Sequence, residues 1–356
     1  MIKRTTASDV AAAARVSKMT VSNVLNGRFD MMSAQTRKRV EDAIAALHYR
    51  PHAAGRNLRM NERLTIGALI VDESPAFLAD PFITNLLAGL SNFLSVRGYG
   101  LLVQGTTPRE VRNAVFMRRF ATDGLCVLLS GSAAECRLRT TQLLTLGQPL
   151  VLFELRRIHK LEADICFIRQ DNRGGARTLA QHILGHGARR LLLLVPRLAW
   201  PAIAERQRGI RAAISKVSDA QLTVVECGED YEETRAALAD YLHTHEMPDA
   251  ILGGNDQMGI AAMRLLTDHG LRVPEDVLVS GFNAFQFRSY TEPRLTSVMS
   301  SAYDMGARAG QELLHRLTAG AFAHTEIVLP TRFAPESSTS LKGTLSRART
   351  VAGRRG

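Results

Sequence analysis

The chain has 356 residues, of which 46% are hydrophobic, and a formal net charge of +11 at pH 7, so it is long enough for about two or three domains. No apolar run is long enough to span a bilayer, and the N-terminus lacks the apolar stretch of a signal peptide, so we expect a cytoplasmic protein without a membrane partner. The four cysteines are far apart and form no CxxC pair, so we expect no metal site and no disulfide framework. No GxGxxG follows a strand and no GxxxxGK(S/T) occurs, so we also expect no cofactor.

The positive charge is confined to the two ends of the chain. Residues 1–62 carry a net charge of +6 and residues 341–356 a net charge of +5, whereas residues 63–340 are balanced. A basic N-terminal module on a neutral body indicates a polyanion as the partner of that module. The charge pattern by itself is also consistent with a basic, solvated end of the chain that has no polyanion partner. The C-terminal segment 341–356 is predicted to be a disordered basic tail.

The N-terminal module, residues 1–50, is predicted to contain three short helices. Thr6 and Asp9 have the spacing of a capping box before the run SDVAAAAR. Ser17 is a good N-cap for a second helix, and the Asn-Gly pair at 26–27 is a stop signal. A third helix follows in AQTRKRVEDAIAALHY, where apolar residues recur at helical spacing. Two short helices joined by a tight turn and braced by a third form a helix-turn-helix domain.

The second helix has an exposed face that suits DNA recognition. In a helix-turn-helix domain this helix lies in the major groove, with its N-terminal residues at the base edges. Lys18 can reach guanine or a phosphate, Met19 can contact a thymine methyl group, and Asn23 can pair with adenine. An ordinary solvated helix face is the alternative. The residues predicted to contact DNA in this domain are Thr6, Ser17, Lys18, Met19, Thr20, Ser22, Asn23 and Asn26.

The segments TASDVAAAARVSKMTVSNVLNG and SAQTRKRVEDAIAALHYRP together resemble the DNA-binding domain of the LacI/GalR family of bacterial transcription regulators. The resemblance runs without a gap from Thr6 to Pro51. Arg15 departs from it, because the family usually has glycine at this turn; the position is either strained or supplies an extra phosphate contact. The resemblance implies a homodimer in which each subunit reads half of a near-palindromic operator.

Residues 51–62 resemble the hinge segment of the same family. The resemblance implies that this segment folds on operator DNA as a short helix in the minor groove. Leu58 matches the leucine that wedges into the central base step, and Arg56 is placed to meet a phosphate. A plain interdomain linker is the alternative.

The neutral body, residues 63–340, alternates apolar strands such as TIGALIV and ARRLLLLVP with helix-like runs. This pattern predicts parallel sheets covered on both faces, and the segment is too long for one sheet, so we expect an α/β body of two doubly wound parallel-sheet lobes. The family resemblance continues here, and it implies a periplasmic-binding-protein-like body with chain crossovers near Gln170, Pro293 and Leu329. The implied N-lobe is about 63–170 and 295–328, and the implied C-lobe is about 171–294 and 329–340.

The resemblance also implies a small-molecule pocket between the lobes. The implied effector-binding residues are Phe82, Glu154, Arg206, Tyr231, Asn255 and Asn283. Arg206 matches an arginine that grips hydroxyls or a carboxylate, whereas Glu154 and Asn283 stand where the family usually has aspartate. Phe82 as plain core and the two asparagines as turn residues are the alternatives.

The change from aspartate to Asn283 removes a negative charge from the implied pocket, while Arg206 adds a positive one. This balance favours a sugar acid or a phosphorylated sugar over a neutral sugar. The whole chain is thus predicted to be a DNA-binding repressor of carbohydrate metabolism, controlled by a sugar-like effector. A cytosolic solute-binding protein without a DNA role is the alternative, and no nucleophile–base pair or metal spacing indicates an enzyme.

Overall fold

The computed structural model describes residues 5–25, 27–49, 63–74, 76–111, 122–158, 164–228 and 230–340. The chain divides into two compact units at Arg63 and Leu64. The predictions for Asn26, for the hinge residues Arg56 and Leu58, and for the tail fall outside the described residues.

The N-terminal unit is the predicted three-helix domain. Its helices are α1 (Ala7–Ala14), α2 (Lys18–Leu25) and α3 (Ala34–Ala46). The capping box at the start of α1 is formed, because Thr6 Oγ1 accepts from the backbone N–H of Asp9 while the Asp9 carboxylate accepts from the backbone N–H of Thr6. Val10, Val21 and Val40, one from each helix, are fully buried together. This shared core fixes α2 against the other two helices.

Arg15 closes α1 in a left-handed backbone conformation, with φ 51° and ψ 51°. Its backbone N–H reaches the carbonyl oxygens of Ala11 and Ala12, so the turn between α1 and α2 is closed by the chain itself. A left-handed residue with a Cβ atom is strained by roughly 1–2 kcal/mol, which glycine avoids. The departure from glycine at this turn therefore carries a real backbone cost.

The first lobe of the C-terminal unit, called the N-lobe below, is built on a six-stranded parallel sheet. The sheet has the order β11-β5-β4-β3-β1-β2. Its strands are β1 (Thr65–Val71), β2 (Gly100–Thr106), β3 (Gly124–Leu129), β4 (Leu150–Phe153), β5 (Ile165–Gln170) and β11 (Glu326–Leu329). Its helices are α4 (Pro81–Ser95), α5 (Ala133–Leu144) and α10 (Ala302–Ala319). Apolar clusters on the two sheet faces explain why β3 and β4 are buried along their whole length.

The second lobe, the C-lobe, repeats this architecture on a parallel sheet with the order β7-β6-β8-β9. Its strands are β6 (Arg190–Pro196), β7 (Gln221–Cys227), β8 (Ala250–Gly253) and β9 (Leu278–Ser280). Its helices are α6 (Asn172–Gly185), α7 (Pro201–Ile214), α8 (Tyr231–Thr244) and α9 (Asp256–Asp268). The predicted fold class, a helical N-terminal domain before an α/β body of parallel sheets, is confirmed.

Three chain crossovers join the two lobes. The first follows Gln170 and the third follows Leu329, because β5 and β11 pair in the N-lobe while the chain beyond each of them packs in the C-lobe. The expected second crossover near Pro293 is wrong. Leu295 and Val298 are buried in C-lobe clusters, so the chain returns to the N-lobe only after Met299. Residues 297–299 form β10, which pairs with β12 (Arg332–Ala334) in an antiparallel ribbon.

None of the described helices has the length and apolar character that crossing a bilayer requires.

Replacing Arg15 by glycine should relieve the left-handed strain and stabilise the N-terminal unit. After the greater chain entropy of glycine is allowed for, we expect a gain of roughly 0.5–1 kcal/mol. Hydrogen exchange of α1 and α3 amides in the full chain should then slow roughly two- to fivefold. Arg15→Ala is the matched control: it keeps a Cβ atom in the same conformation and should not slow exchange. Equal exchange in Arg15→Gly and the native chain would contradict the strain.

Candidate functional site

The lobes of the C-terminal unit enclose a cleft with about 560 Å³ of empty space, part of it open to solvent. It lies where parallel strands end, the usual position of a ligand site in α/β sheets. Leu128 belongs to β3 and Glu154 follows β4 on one side, while Pro196 ends β6 on the other. The cleft-lining residues are Asp80, Phe82, Leu128, Glu154, Pro196, Trp200, Ala202, Ile203, Arg206, Asn255 and Asn283.

Arg206 of α7 is the best-anchored group in the cleft. Its Nε donates to Asn172 Oδ1 at 3.0 Å and its Nη2 donates to Asn283 Oδ1 at 3.0 Å. Its Nη1 donates to the carbonyl oxygen of Gly254, and the guanidinium lies 3.8 Å from the ring centroid of Phe282. Burial lowers the pKa of Arg206 to about 10, against the opposing pull of nearby carboxylates. The positive charge is therefore fixed in place by C-lobe residues.

Glu154 supplies the facing carboxylate from the N-lobe. Its Oε2 accepts from Asn172 Nδ2 at 2.7 Å, so Asn172 bridges Glu154 and Arg206 across the lobes. Its backbone is left-handed, with φ 59°, and the residue is 5% exposed. Burial raises the pKa of Glu154 to about 7, while Arg206 and Asn172 limit the rise.

Two further carboxylates lie near Arg206, and the sequence analysis missed both. Asp80 lines the cleft and caps α4 by accepting from the Phe82 N–H at 2.8 Å; burial raises its pKa to about 6. Asp256 is 1% exposed and accepts from Ser297 Oγ at 2.5 Å and from the Phe285 N–H at 2.9 Å. Burial raises the pKa of Asp256 to about 7. Asp80 is the N-cap of α4 and Asp256 is the first residue of α9, so the sequence shows only two possible helix starts and gives no sign that either carboxylate lies near Arg206.

The apolar wall of the cleft combines Phe82 with Trp200 and Ile203. Phe82 is 8% exposed and belongs to the N-lobe core while it also lines the cleft, so core packing does not exclude the predicted effector contact. Trp200, the only tryptophan in the sequence, packs against the same N-lobe cluster although it precedes α7 of the C-lobe. Sequence reasoning missed it because its position depends on how the lobes meet.

Five of the six expected effector residues come together in the cleft, and Tyr231 does not. Tyr231 begins α8, is 37% exposed, and its hydroxyl accepts from Arg235. The reason is topological: β7, which precedes it, is the outermost strand of its sheet, so the following loop lies away from the cleft. Asn255 lines the cleft, but its Oδ1 also caps α9 by accepting from the Met258 N–H at 2.9 Å.

The proposed DNA face lies on and before α2. Met19 is 68% exposed, and Lys18 is exposed beside it. The hydroxyls of Ser17 and Thr20 bond to each other at 3.0 Å, and Ser17 Oγ accepts from the Thr20 N–H. Ser22 is exposed and Asn23 is half-buried on the same helix. Thr6 is engaged in its capping box, so its first role is structural.

No group of metal-ligating side chains occurs among the described residues.

Comparison with known proteins places both units. Residues 6–52 match the family described as "Bacterial regulatory proteins, lacI family", and residues 180–339 match a periplasmic binding protein-like domain. The chain is 31% identical over 333 residues to the HTH-type transcriptional regulator CelR of Thermobifida fusca. The aligned region covers 92% of this chain and 96% of that protein. This chain belongs to the LacI family.

Solved structures agree with this assignment. The structure titled as a CelR–cellobiose complex has a TM-score of 0.67 and 28% identity, covering 94% of this chain and all of that one. A lac repressor dimer bound to operator and the anti-inducer ONPF has a TM-score of 0.80 at 24% identity, covering 95% and 99% of the two chains, and shows the shared fold.

A second interlobe contact lies next to the Glu154–Asn172–Arg206 bridge of this LacI-family chain. Arg156, from the N-lobe, donates from Nε and Nη2 to the two carboxylate oxygens of Glu205 at 3.0 and 2.6 Å. Glu205 belongs to α7, is 7% exposed, and also pairs with Arg208. Burial works against ionisation, but Arg156 and Arg208 together hold the pKa of Glu205 below its usual value.

Because Arg156 and Glu205 belong to different lobes, breaking their pair should favour an open cleft. Arg156→Ala should shift the open–closed equilibrium by roughly 1 kcal/mol, since a bidentate pair with one buried partner exceeds a surface pair. Trp200, the sole tryptophan, should then show a red-shifted emission and stronger quenching by acrylamide. Arg272→Ala removes an arginine of similar exposure that pairs with Asp276 within the C-lobe and serves as the control. Unchanged quenching in Arg156→Ala would show that the pair does not hold the lobes together.

Proposed function

We propose that this LacI-family regulator is a homodimeric repressor that binds operator DNA through α2 and is controlled by a sugar-like effector in the interlobe cleft. The observation that carries the proposal is the combination, in one chain, of an exposed Lys18–Met19 face on a capped helix and a cleft built around buried Arg206. The DNA-bound lac repressor dimer and the CelR–cellobiose complex support these two roles respectively.

The DNA-reading part rests on the geometry of α2. Its N-terminal turn presents Lys18 and Met19, and Asn23 follows about one turn later. Side chains of these types can contact guanine, a thymine methyl group and adenine in a major groove. We propose that a near-palindromic operator follows from the two-fold symmetry of a dimer. Arg56 and Leu58 remain predicted minor-groove contacts.

Regulation follows if the effector binds the DNA-competent and DNA-incompetent states with different affinity. The cleft is suited to this role because its polar groups come from both lobes, so a ligand that touches Glu154 and Arg206 biases their arrangement. We propose a cytoplasmic location, because a bacterial regulator that binds DNA acts where the DNA lies. We propose no catalytic role. The alternative, a solute-binding protein without a DNA role, does not account for the exposed Lys18–Met19 face of α2.

The first test is in vitro selection of duplex DNA from a random library by the purified full-length chain. We expect a short palindrome to be enriched. Asn23→Ala should lose preference at one base pair of each half-site, at a cost of roughly 1–3 kcal/mol, because the bidentate amide contact is gone. Gln257→Ala removes an exposed amide from α9 in the C-lobe and should leave the selected sequence unchanged.

Two results would contradict the proposal. One is the absence of any enriched sequence, both without small molecules and with a pool of sugars present. The other is an Asn23→Ala variant that selects the same site with the same preference at every position, which would remove α2 from base recognition.

A further inference from the structure

One oxygen of the cleft has no partner. Oε1 of Glu154 is buried, and none of the described residues donates a hydrogen bond to it, whereas Oε2 is held by Asn172. A buried acceptor without a donor is costly and rare in folded proteins. The side chain is held at both ends, because the Glu154 N–H donates to the carbonyl oxygen of Ile168 at 3.0 Å and Oε2 accepts from Asn172 at 2.7 Å.

The guanidinium of Arg206 already makes three hydrogen bonds, to Asn172, to Asn283 and to the carbonyl oxygen of Gly254. These contacts engage each of its three nitrogens and fix the plane of the group, so only the second N–H of each Nη atom is left for a ligand. An incoming anion would reach a guanidinium that cannot turn toward it and whose charge is already offset by nearby carboxylates.

The carboxylates outnumber the cation. Asp80 and Glu154 line the cleft with Arg206, and Asp256 lies close enough to Arg206 to shift its pKa. Asp80 therefore supplies a negative charge in place of the one that an aspartate at position 283 would carry. The sequence alone did not indicate that Asp80 lines the cleft. Burial raises the pKa of Asp80 to about 6 and that of Glu154 to about 7, so desolvation in the cleft already opposes negative charge on these two groups.

We infer that the effector carries no negative charge and donates a hydrogen bond from a hydroxyl or ammonium group to Oε1 of Glu154. The inference rests on the proposed effector role of the cleft and narrows its ligand class to neutral and amino sugars. It replaces the sugar acid or sugar phosphate expected from the sequence. A carboxylate or phosphate in the cleft would meet the unpaired Glu154 oxygen and Asp80 at short range, in a low-dielectric site where repulsion is strong.

The test is calorimetry of the full chain with matched sugars that differ in one group. The probes are glucose, glucosamine, glucuronate and glucose 6-phosphate, the corresponding galactose series, ribose with ribose 5-phosphate, and cellobiose. At least one neutral or amino sugar should bind, and its acid and phosphate counterparts should bind at least roughly tenfold more weakly. Comparing glucose with glucosamine, and galactose with galactosamine, shows whether a hydroxyl or an ammonium group is preferred.

Variants connect the result to particular atoms. Glu154→Gln keeps the shape of the side chain but removes the anionic acceptor, so the preferred sugar should bind roughly 10- to 100-fold more weakly. Asp80→Asn keeps a good helix cap and removes one charge, so the discrimination against acids should shrink. Glu275→Gln, at an exposed carboxylate in the turn before β9, is the control and should change neither quantity.

The inference is overturned if an acid or phosphate binds as tightly as its uncharged parent, if no neutral or amino sugar in the panel binds, or if Glu154→Gln binds the preferred sugar as the native chain does. The DNA selection requires no sugar to give its primary result. Operator binding without sugar binding would therefore reject the effector assignment alone, and sugar binding without operator selection would reject the DNA role alone.

Discussion

The cleft depends on keeping the buried guanidinium of Arg206 paired. A buried charge is tolerated only when its hydrogen-bonding groups are satisfied, and removing one partner of such a set is strongly destabilising. Asn172, Asn283 and the Gly254 carbonyl meet this requirement from three separate places in the C-lobe. The segments that follow β8 and β9 and the start of α6 are thereby fixed around one side chain, so this part of the cleft surface is preorganised.

The same constraint couples the two lobes. Asn172 donates to Glu154 while accepting from Arg206, and Arg156 pairs with Glu205 beside it. In the first contact the N-lobe supplies the acid, Glu154, and the C-lobe the base, Arg206. In the second contact the N-lobe supplies the base, Arg156, and the C-lobe the acid, Glu205. A ligand that engages Glu154 changes one of the two contacts that hold the lobes together. A ligand bound at Glu154 would therefore act on the same residues that join the lobes, as a population-shift mechanism requires.

The sequence predicted features that local chemistry decides and failed where distant segments meet. The capping box of Thr6 and the helical spacing of the third helix are local patterns, and the structure forms both. The second crossover was misplaced because residues 297–299 make a short strand whose partner, β12, follows much later in the chain. Trp200 and Asp80 were missed for a similar reason, since nothing in their neighbourhoods shows that the opposite lobe will cover them.

Two of the cleft-lining residues combine a polar side chain with a positive φ. Glu154 and Asn283 both have positive φ, 59° and 108°, and the family resemblance of the sequence implies aspartate at both positions. Aspartate and asparagine tolerate this conformation better than glutamate does. Glu154 therefore has a more strained backbone than an aspartate would have at this position, and it also has an unsatisfied buried oxygen. Packing alone does not account for two such costs at one residue. A hydrogen-bond donor on a ligand would satisfy Oε1, and the strained backbone would hold the carboxylate in the direction of that donor.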